Sequence, residues 1–457
     1  MDRSSARRRV LVLTTEPLPL PGCVTTGAGL RAWGLAEGLR SRGFEVIIAS
    51  PALEEGGAHA GAVLPPHVRS CPRSAIGALI ADVSPSVVVL QHWGLAADVP
   101  ELTVPLALDL AGPHLLERIY WGDSDIDRNV AEKIAALRRA DFVTCSGEYQ
   151  RHYFYPFLAM AGFDLRRTPV PVIPFSVPPD AAASATATRD PLAFVYGGAF
   201  LAWQDPSTPI QWLLEELERA GRGTLQFFGG PHPVADASGG RFAELTTALR
   251  NHPRVIVRGL VAFDDLIAAY RRASVALDLM ARNPERELAF TTRTMIYLYC
   301  GLPVIHNNYS EVGRLVRERG CGWALDPEDE VGFRSAVRSI LDASAPLESL
   351  RRAALATASD YSWDKTIGPL ADFCANPCQR EGRLAIALAA EARRRETEAL
   401  REQCDALRSE LLTIKGRLAY RLLQHLPAAG ALMAPFAYLA GWILAAAVYL
   451  RLRRTNR

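Results

Sequence analysis

The chain has 457 residues, 49% hydrophobic and 22% charged, with 51 Lys+Arg against 49 Asp+Glu. That length leaves room for two or three packed domains, and a net charge of +2 gives no global reason to bind nucleic acid. Residues 383–457 carry thirteen Arg/Lys and six Asp/Glu, a net of +7 that leaves −5 on the rest. Only Lys133, Lys365 and Lys415 are lysines, so an anion site in the body must rest on arginine or on backbone N–H groups. The eight cysteines form no Cys-x-x-Cys pair, which reads as small buried thiols in a reducing compartment.

The basic start Arg7-Arg8-Arg9 precedes an apolar run, Val10–Leu13, too short for a signal-peptide core. It reads as the first strand, Val10–Thr14. A turn-rich stretch, 16–29, leads into an apolar-periodic helix (Leu30, Trp33, Leu35, Leu39) that ends at Arg42-Gly43. Further strands are expected at Val46–Ala49, Ser86–Leu90, Pro105–Asp109, Phe142–Cys145 and Val170–Ile173, with a helix over Asn129–Arg139. Val177–Asp190, VPPDAAASATATRD, has the composition of a linker. The alternation then restarts with strands at Leu192–Tyr196, Thr224–Phe228, Val255–Arg258, Val275–Leu279 and Pro303–His306.

This pattern predicts an α/β protein of two Rossmann-like domains, 1–177 and 191–345, facing across a cleft and joined by linker 178–190. Ligands in such sheets sit at the carboxyl ends of strands. After residue 345 the strands stop, and 346–375 reads as closing helices. Residues 383–425 are different: positions 400, 404, 407, 411, 414 and 418 are Leu, Cys, Leu, Leu, Ile and Leu, an alternating four-three spacing among charges. The readings are a short coiled coil, which would make a homodimer through 400–418, and an amphipathic helix packed on its own body. Leu426–Leu450 then runs 25 residues without a charge, flanked by Lys415, Arg417 and Arg421 before it and Arg451, Arg453, Arg454 and Arg457 after it. It is long enough to associate with a membrane, and Pro435 within it favours lying in the interface over spanning.

The strongest local signal is 281–309, ARNPERELAFTTRTMIYLYCGLPVIHNNY. Thr291 and Thr292 are N-cap residues for a helix through Cys300 that Gly301 closes. A helix N-terminus in a cleft attracts anions through its N–H groups and macrodipole, and Arg293 in the first turn adds a charge-assisted contact. Glu285 and Glu287, just upstream, have the chemistry to accept sugar hydroxyls.

These residues strongly resemble the donor-site segment of retaining GT-B glycosyltransferases of the fourth sequence family, surface-polysaccharide branch. The matching pattern is Glu285, Phe290, Thr292, Arg293, then Gly301-Leu302-Pro303. Gly197-Gly198 followed by Trp203, Asp205, Pro206 and Thr208 is similar to another element of that branch, as are VIPFSV at 172–177, FGGPHP at 228–233, GAGLRAWGLA at 27–36 and DLAGPHLLE at 109–117. The resemblance spans about 9–374. It implies transfer of a sugar, with retention, from a nucleotide-sugar donor on the C-terminal domain to a glycan or lipid-linked acceptor over the N-terminal domain. It also implies no metal and no other cofactor, because helix dipole and cations stabilise the departing diphosphate. Gly27, Gly29, Gly197 and Gly198 are then donor-binding with Thr291, Thr292 and Arg293. Asp109, Glu285 and Glu287 are the candidate catalytic carboxylates; His92, Trp203, Asp205 and the strand-end Arg258 are further candidates. The body is expected at the cytosolic face of the inner membrane.

The chain departs from the pattern at Ile296, where the family carries an acidic residue for the ribose hydroxyls, and at Asp109, where many members have histidine. No Arg/Lys diphosphate pair is visible. These departures keep open a non-catalytic scaffold in a polysaccharide assembly complex; a nucleotide-sugar epimerase is a second alternative. Asp123, Asp125 and Asp127 alternate as in a metal loop, but read better as helix-start carboxylates.

Overall fold

The computed structural model describes residues 8–51, 63–167, 170–181, 189–190, 192–233 and 242–424. In chain order, β1 (Arg9–Leu13), α1 (Gly27–Ser41), β2 (Glu45–Ser50), β3 (Val68–Ser70), α2 (Ile76–Val83), β4 (Val87–Leu90) and β5 (Leu106–Leu110) begin the first sheet. α3 (His114–Tyr120), α4 (Ile126–Arg139), β6 (Phe142–Cys145) and α5 (Glu148–Met160) follow. The second sheet contains β7 (Ala193–Ala199), α6 (Ser207–Ala220), β8 (Thr224–Gly230), α7 (Ala243–Asn251), β9 (Val255–Val257), α8 (Phe263–Arg272) and β10 (Val275–Asp278). It continues through α9 (Pro284–Leu288), α10 (Thr292–Tyr299), β11 (Val304–Asn307), α11 (Glu311–Arg319), β12 (Gly322–Leu325) and α12 (Glu330–Leu341). The chain closes with α13 (Leu347–Asp360), α14 (Trp363–Thr366), α15 (Gly368–Ala375) and α16 (Arg383–Gln424).

Both sheets have six strands and are parallel throughout, in the orders β3-β2-β1-β4-β5-β6 and β12-β11-β10-β7-β8-β9. Counted within each sheet, both are the doubly wound order 3-2-1-4-5-6, so the strand order reverses between β1 and β4 and again between β7 and β10. Central strands such as VVVL in β4 are wholly buried, as strands covered by helices on both faces must be. The two-Rossmann expectation holds, and the shared order places a ligand crevice at the ends of β1/β4 and β7/β10.

Three details differ from the sequence reading. Val170–Ile173 is no strand: only Val172 pairs, with Cys145, because Pro171 and Pro174 cannot donate to a ladder. The short edge strands β3 and β12 were not expected. The closing segment also divides: α13 packs on α10, whereas α14 crosses back to α1. There Ile367, Leu370, Ala371 and Cys374 join the core beneath the first sheet. A Cβ at Gly38 would lie 2.9 Å from Ile367, which is why α1 approaches this segment so closely. A strap then fastens the chain: Arg383 pairs with buried Asp141 at 2.6 Å, and Arg380 lies 3.9 Å over the Phe163 ring.

Residues 1–386 form one compact unit and 387–457 a second. In the second, α16 is a continuous helix to Gln424. Among the described residues no helix is long and apolar enough to cross a membrane; the segment Leu426–Leu450 lies outside them.

Candidate functional site

A cleft of about 640 Å³ opens between the two sheets at both reversal points. On the first sheet, Thr14 at the end of β1 donates to Gln91 after β4 at 2.9 Å, and His92 follows. On the second, Asp278 ends β10 and Gly197-Gly198 lie near the end of β7.

The walls of the cleft present two helix N-termini to each other. α1 begins at Gly27 behind Thr26, whose hydroxyl accepts from Gly29 N at 3.0 Å and donates to Glu16 at 2.9 Å. α10 begins at Thr292 behind Thr291. A Cβ on Gly27 would sit 3.1 Å from Thr292 Oγ1, so only glycine leaves the two ends this close without a side chain between them. Free N–H groups and the positive ends of two macrodipoles therefore converge on one spot.

Arg293 stands at that spot in a fixed pose. Its Nη1 donates to Asp278 at 2.8 Å, its Nη2 to Gln204 at 2.9 Å, and its guanidinium lies 4.9 Å over the Tyr196 ring. Its Nε is buried and has no partner. A Cβ on Gly198, whose φ is +144°, would collide with this guanidinium. Asp278 also accepts from Thr294 Oγ1 at 2.6 Å. Burial pushes the Asp278 carboxyl up, but Arg293, His306 and Thr294 together hold it below its ordinary range. His306 is wholly buried; its Nδ1–H donates to Asn307 O at 2.9 Å, leaving Nε2 to accept from Thr291 Oγ1 at 3.4 Å. Burial lowers its pKa, consistent with a neutral ring.

Glu285 also lines the cleft, 2% exposed. The neighbouring Arg286 donates to both of its oxygens, at 2.5 and 2.8 Å. Burial raises the Glu285 carboxyl against the pull of Arg286. Asn283 caps α9 by accepting from Arg286 N at 3.0 Å and ties it to Trp203 O at 2.9 Å. Trp203 faces Trp121 of the other domain edge-on at 6.5 Å.

On the opposite wall, His92 Nδ1 accepts from Gly94 N at 3.0 Å, which puts the proton of the neutral ring on Nε2. That Nε2 is buried without a partner. Burial, then His114, Lys133 and more distant cations, press the His92 pKa well below its ordinary value. His114 begins α3, lines the cleft and pairs with Glu117 at 3.1 Å.

Of the predicted site residues, Gly27, Gly197, Gly198, Thr291, Thr292, Arg293, Glu285, His92 and Trp203 line the cleft. Five stand elsewhere. Asp109 is fully buried, with both oxygens held by Arg31 at 2.8 and 3.0 Å, so it orients an arginine that lines the cleft and does not reach the cleft itself. Glu287 is on the outer face of α9, paired with Arg282 at 2.7 Å. Asp205 is exposed and accepts from Ser207 N at 2.9 Å, at the start of α6. Arg258 is exposed beyond the edge strand β9. Gly29 is buried against Pro17, whose carbonyl a Cβ would strike. Arg31, Arg286, Gln204 and Asp278 were not foreseen. Asp125 caps α4 and Asp123 pairs with Arg118, so those carboxylates serve the helix start.

Beyond α10 the cleft turns apolar. Ile296, 5% exposed, lies in one cluster with Phe228, Phe263 and Leu266, and these residues with Leu260 line that end. Contacts between the domains frame the cleft: Phe263 N donates to Cys23 O at 2.9 Å, and Glu311 accepts from Tyr149 N at 3.2 Å.

No family model matches the chain. The chain is 26% identical over 160 residues to D-inositol 3-phosphate glycosyltransferase 1 of Catenulispora acidiphila, a stretch covering 35% of this chain and 37% of that relative. Its fold is shared with sucrose-phosphate synthase from Thermosynechococcus elongatus (17% identity, 86% of this chain and 100% of that one, TM-score 0.60). It is shared also with an alpha-glucosyltransferase solved with UDP (10%, 81% and 100%, 0.56) and with Anabaena HepE solved with UDP and glucose (14%, 81% and 100%, 0.54). The fold is thus the two-domain GT-B architecture.

Proposed function

We propose that the chain is a glycosyltransferase that takes a sugar from a nucleotide-sugar donor. One observation carries this reading: the N-termini of α1 and α10 meet across a glycine, with the unpartnered Nε of a fixed arginine beside them. A diphosphate supplies the two adjacent anionic groups that such a spot attracts. Structural neighbours solved with UDP or UDP with glucose support it.

In this reading the nucleoside lies along the apolar end by Ile296, and the sugar lies by Glu285. The Glu285 lone pairs left over from Arg286 accept sugar hydroxyls. Arg293 and the helix ends stabilise charge on the leaving diphosphate without a metal. As the bond from C1 to the phosphate oxygen breaks, the acceptor oxygen bonds to C1 and its proton passes to the departing diphosphate, on the same face, giving retention. The acceptor, a glycan or lipid-linked sugar of a cell-surface polysaccharide, approaches from the His92 wall, where Nε2–H offers a donor. Leu426–Leu450 holds the protein at a membrane.

A panel of nucleoside diphosphates and nucleotide sugars, read by thermal shift and by diphosphate release, tests this. Stabilisation by one nucleotide and turnover of its sugar are expected; a flat response to the whole panel would refute the reading. Ile296 favours one other reading, a scaffold that has lost its donor chemistry, because isoleucine accepts no ribose hydroxyl. Binding without release would select it.

A further inference from the structure

Helix α16 carries its large apolar residues in solvent: Leu400, Leu407, Leu411 and Ile414 are 55%, 64%, 51% and 52% exposed. With Cys404 and Leu418 they fall on a single seam, Leu400, Leu407 and Ile414 at d and Cys404, Leu411 and Leu418 at a. Up to Lys415 the residues flanking the seam are sorted by charge. Those just before positions 397, 404 and 411 of the a row are Glu396, Gln403 and Glu410, and Arg417 precedes Leu418 at the end of the seam; those just after each d position are Arg401, Arg408 and Lys415.

This sorting selects an occupant and its direction. In a parallel in-register pair each g residue meets the e residue five positions further on in the other helix. Glu396 then meets Arg401, Gln403 meets Arg408, and Glu410 meets Lys415. In an antiparallel pair e faces e, and the three cations of one helix would meet those of the other. We propose that residues 396–418 pair with a second copy of this chain in a parallel, in-register coiled coil that sets the two Cys404 thiols against each other. Both chains then leave the coil at the same end, so their uncharged segments, Leu426–Leu450, reach one surface together and bind it with the avidity of two anchors. The inference is independent of the proposed activity.

Full-length protein in mild detergent tests it. Cys378 and Cys404 are the two exposed thiols among the described residues, and the other six cysteines are buried. The expected result is a dimer in sedimentation equilibrium that mild oxidation crosslinks. Cys404→Ser should abolish the crosslink and Cys378→Ser should keep it. Glu410→Lys or Lys415→Glu should each raise the dimer dissociation constant about tenfold, because two symmetry-related pairs become repulsive. The double exchange should restore it to within about twofold. A monomer in micelles and on anionic vesicles would overturn the proposal. So would a dimer with no Cys404 crosslink, or a double exchange that fails to restore pairing.

Discussion

Replacing Arg293 by alanine separates what this arginine does for the fold from what it does for a ligand. Its side chain is 12% exposed and that of Asp278 2%. After the substitution Asp278 keeps the Thr294 hydroxyl and has His306 at 3.6 Å, but loses its only arginine bond. Stranding one member of a buried pair costs about 3–5 kcal/mol. The lost contact to a diphosphate costs about 1.5–3 kcal/mol more in binding, roughly a 10- to 150-fold rise in Kd. Adding Asp278→Ala removes the stranded charge, so the double variant should recover part of the stability and none of the affinity. Chemical denaturation measures the first quantity and calorimetric titration with the best nucleoside diphosphate the second. Wild-type affinity in Arg293→Ala, or affinity that returns with stability in the double variant, would refute the reasoning.

Further substitutions probe the rest of the site. Glu285→Gln should destabilise the protein by roughly 3–5 kcal/mol by leaving Arg286 buried without its anion, and should lower transfer; Glu287→Gln, on the outer face, should change stability by less than about 0.5 kcal/mol, and equal effects in denaturation and turnover assays would contradict the assigned faces. Gly27→Val should place a branched side chain against Thr292 and weaken nucleoside-diphosphate binding at least about tenfold, an effect of roughly 1.4 kcal/mol seen by titration; unchanged affinity would remove the diphosphate from this spot. The depressed His92 pKa means that below about pH 6.5 the unfolded chain takes up a proton that the folded chain refuses. Its contribution is present above that pH and is lost as pH falls toward the folded value. His92→Asn, which keeps an acceptor for Gly94 N, should flatten the acid limb of the stability curve by up to about 1.4 kcal/mol per pH unit; an unchanged slope would contradict it. Lys133, fully buried with no hydrogen-bond partner and its amine 4.1 Å from the Phe157 ring centre, has its pKa lowered by burial to about 7. Lys133→Met should stabilise the fold by about 1–3 kcal/mol in denaturation, and a loss of stability would show that the amine is held by more than the rings.

The alternation of apolar runs and helical periods was enough to foresee both sheets, because strands buried on two faces must be continuously apolar. Three-residue edge strands such as β3 carry no such run, and at 170–174 the apolar residues outweighed Pro171 and Pro174, the signal against a strand. At the site, Gly27, Gly197, Gly198 and the start of α10 were legible because their backbone roles are local; but Thr291 makes no capping bond, its hydroxyl turning to His306, and Thr292 is already inside the helix. The direction of a side chain was not. α9 turns by about 100° per residue, so Glu285 and Glu287 point to nearly opposite sides although both precede the same helix. Asp109 stood at a strand end as expected, but its partner is 78 residues away. One signal was available: Arg31 lies one turn before Leu35 and two before Leu39 on the buried face of α1, and a cation there requires a buried carboxylate. The links from Arg293 to Asp278 and Gln204 join a helix start, a strand end and a turn that are far apart in the chain, and have no local signature.

The central claim is that the facing ends of α1 and α10 hold the diphosphate of a nucleotide sugar. A crystal structure of the protein with the nucleoside diphosphate that stabilises it tests this most directly. The account predicts the diphosphate between Gly27 and Thr292, within hydrogen-bond distance of their N–H groups and of Arg293 Nε, with the base toward Ile296. A diphosphate bound elsewhere, or a spot between the helix ends that stays unfilled at saturating nucleotide, would contradict it.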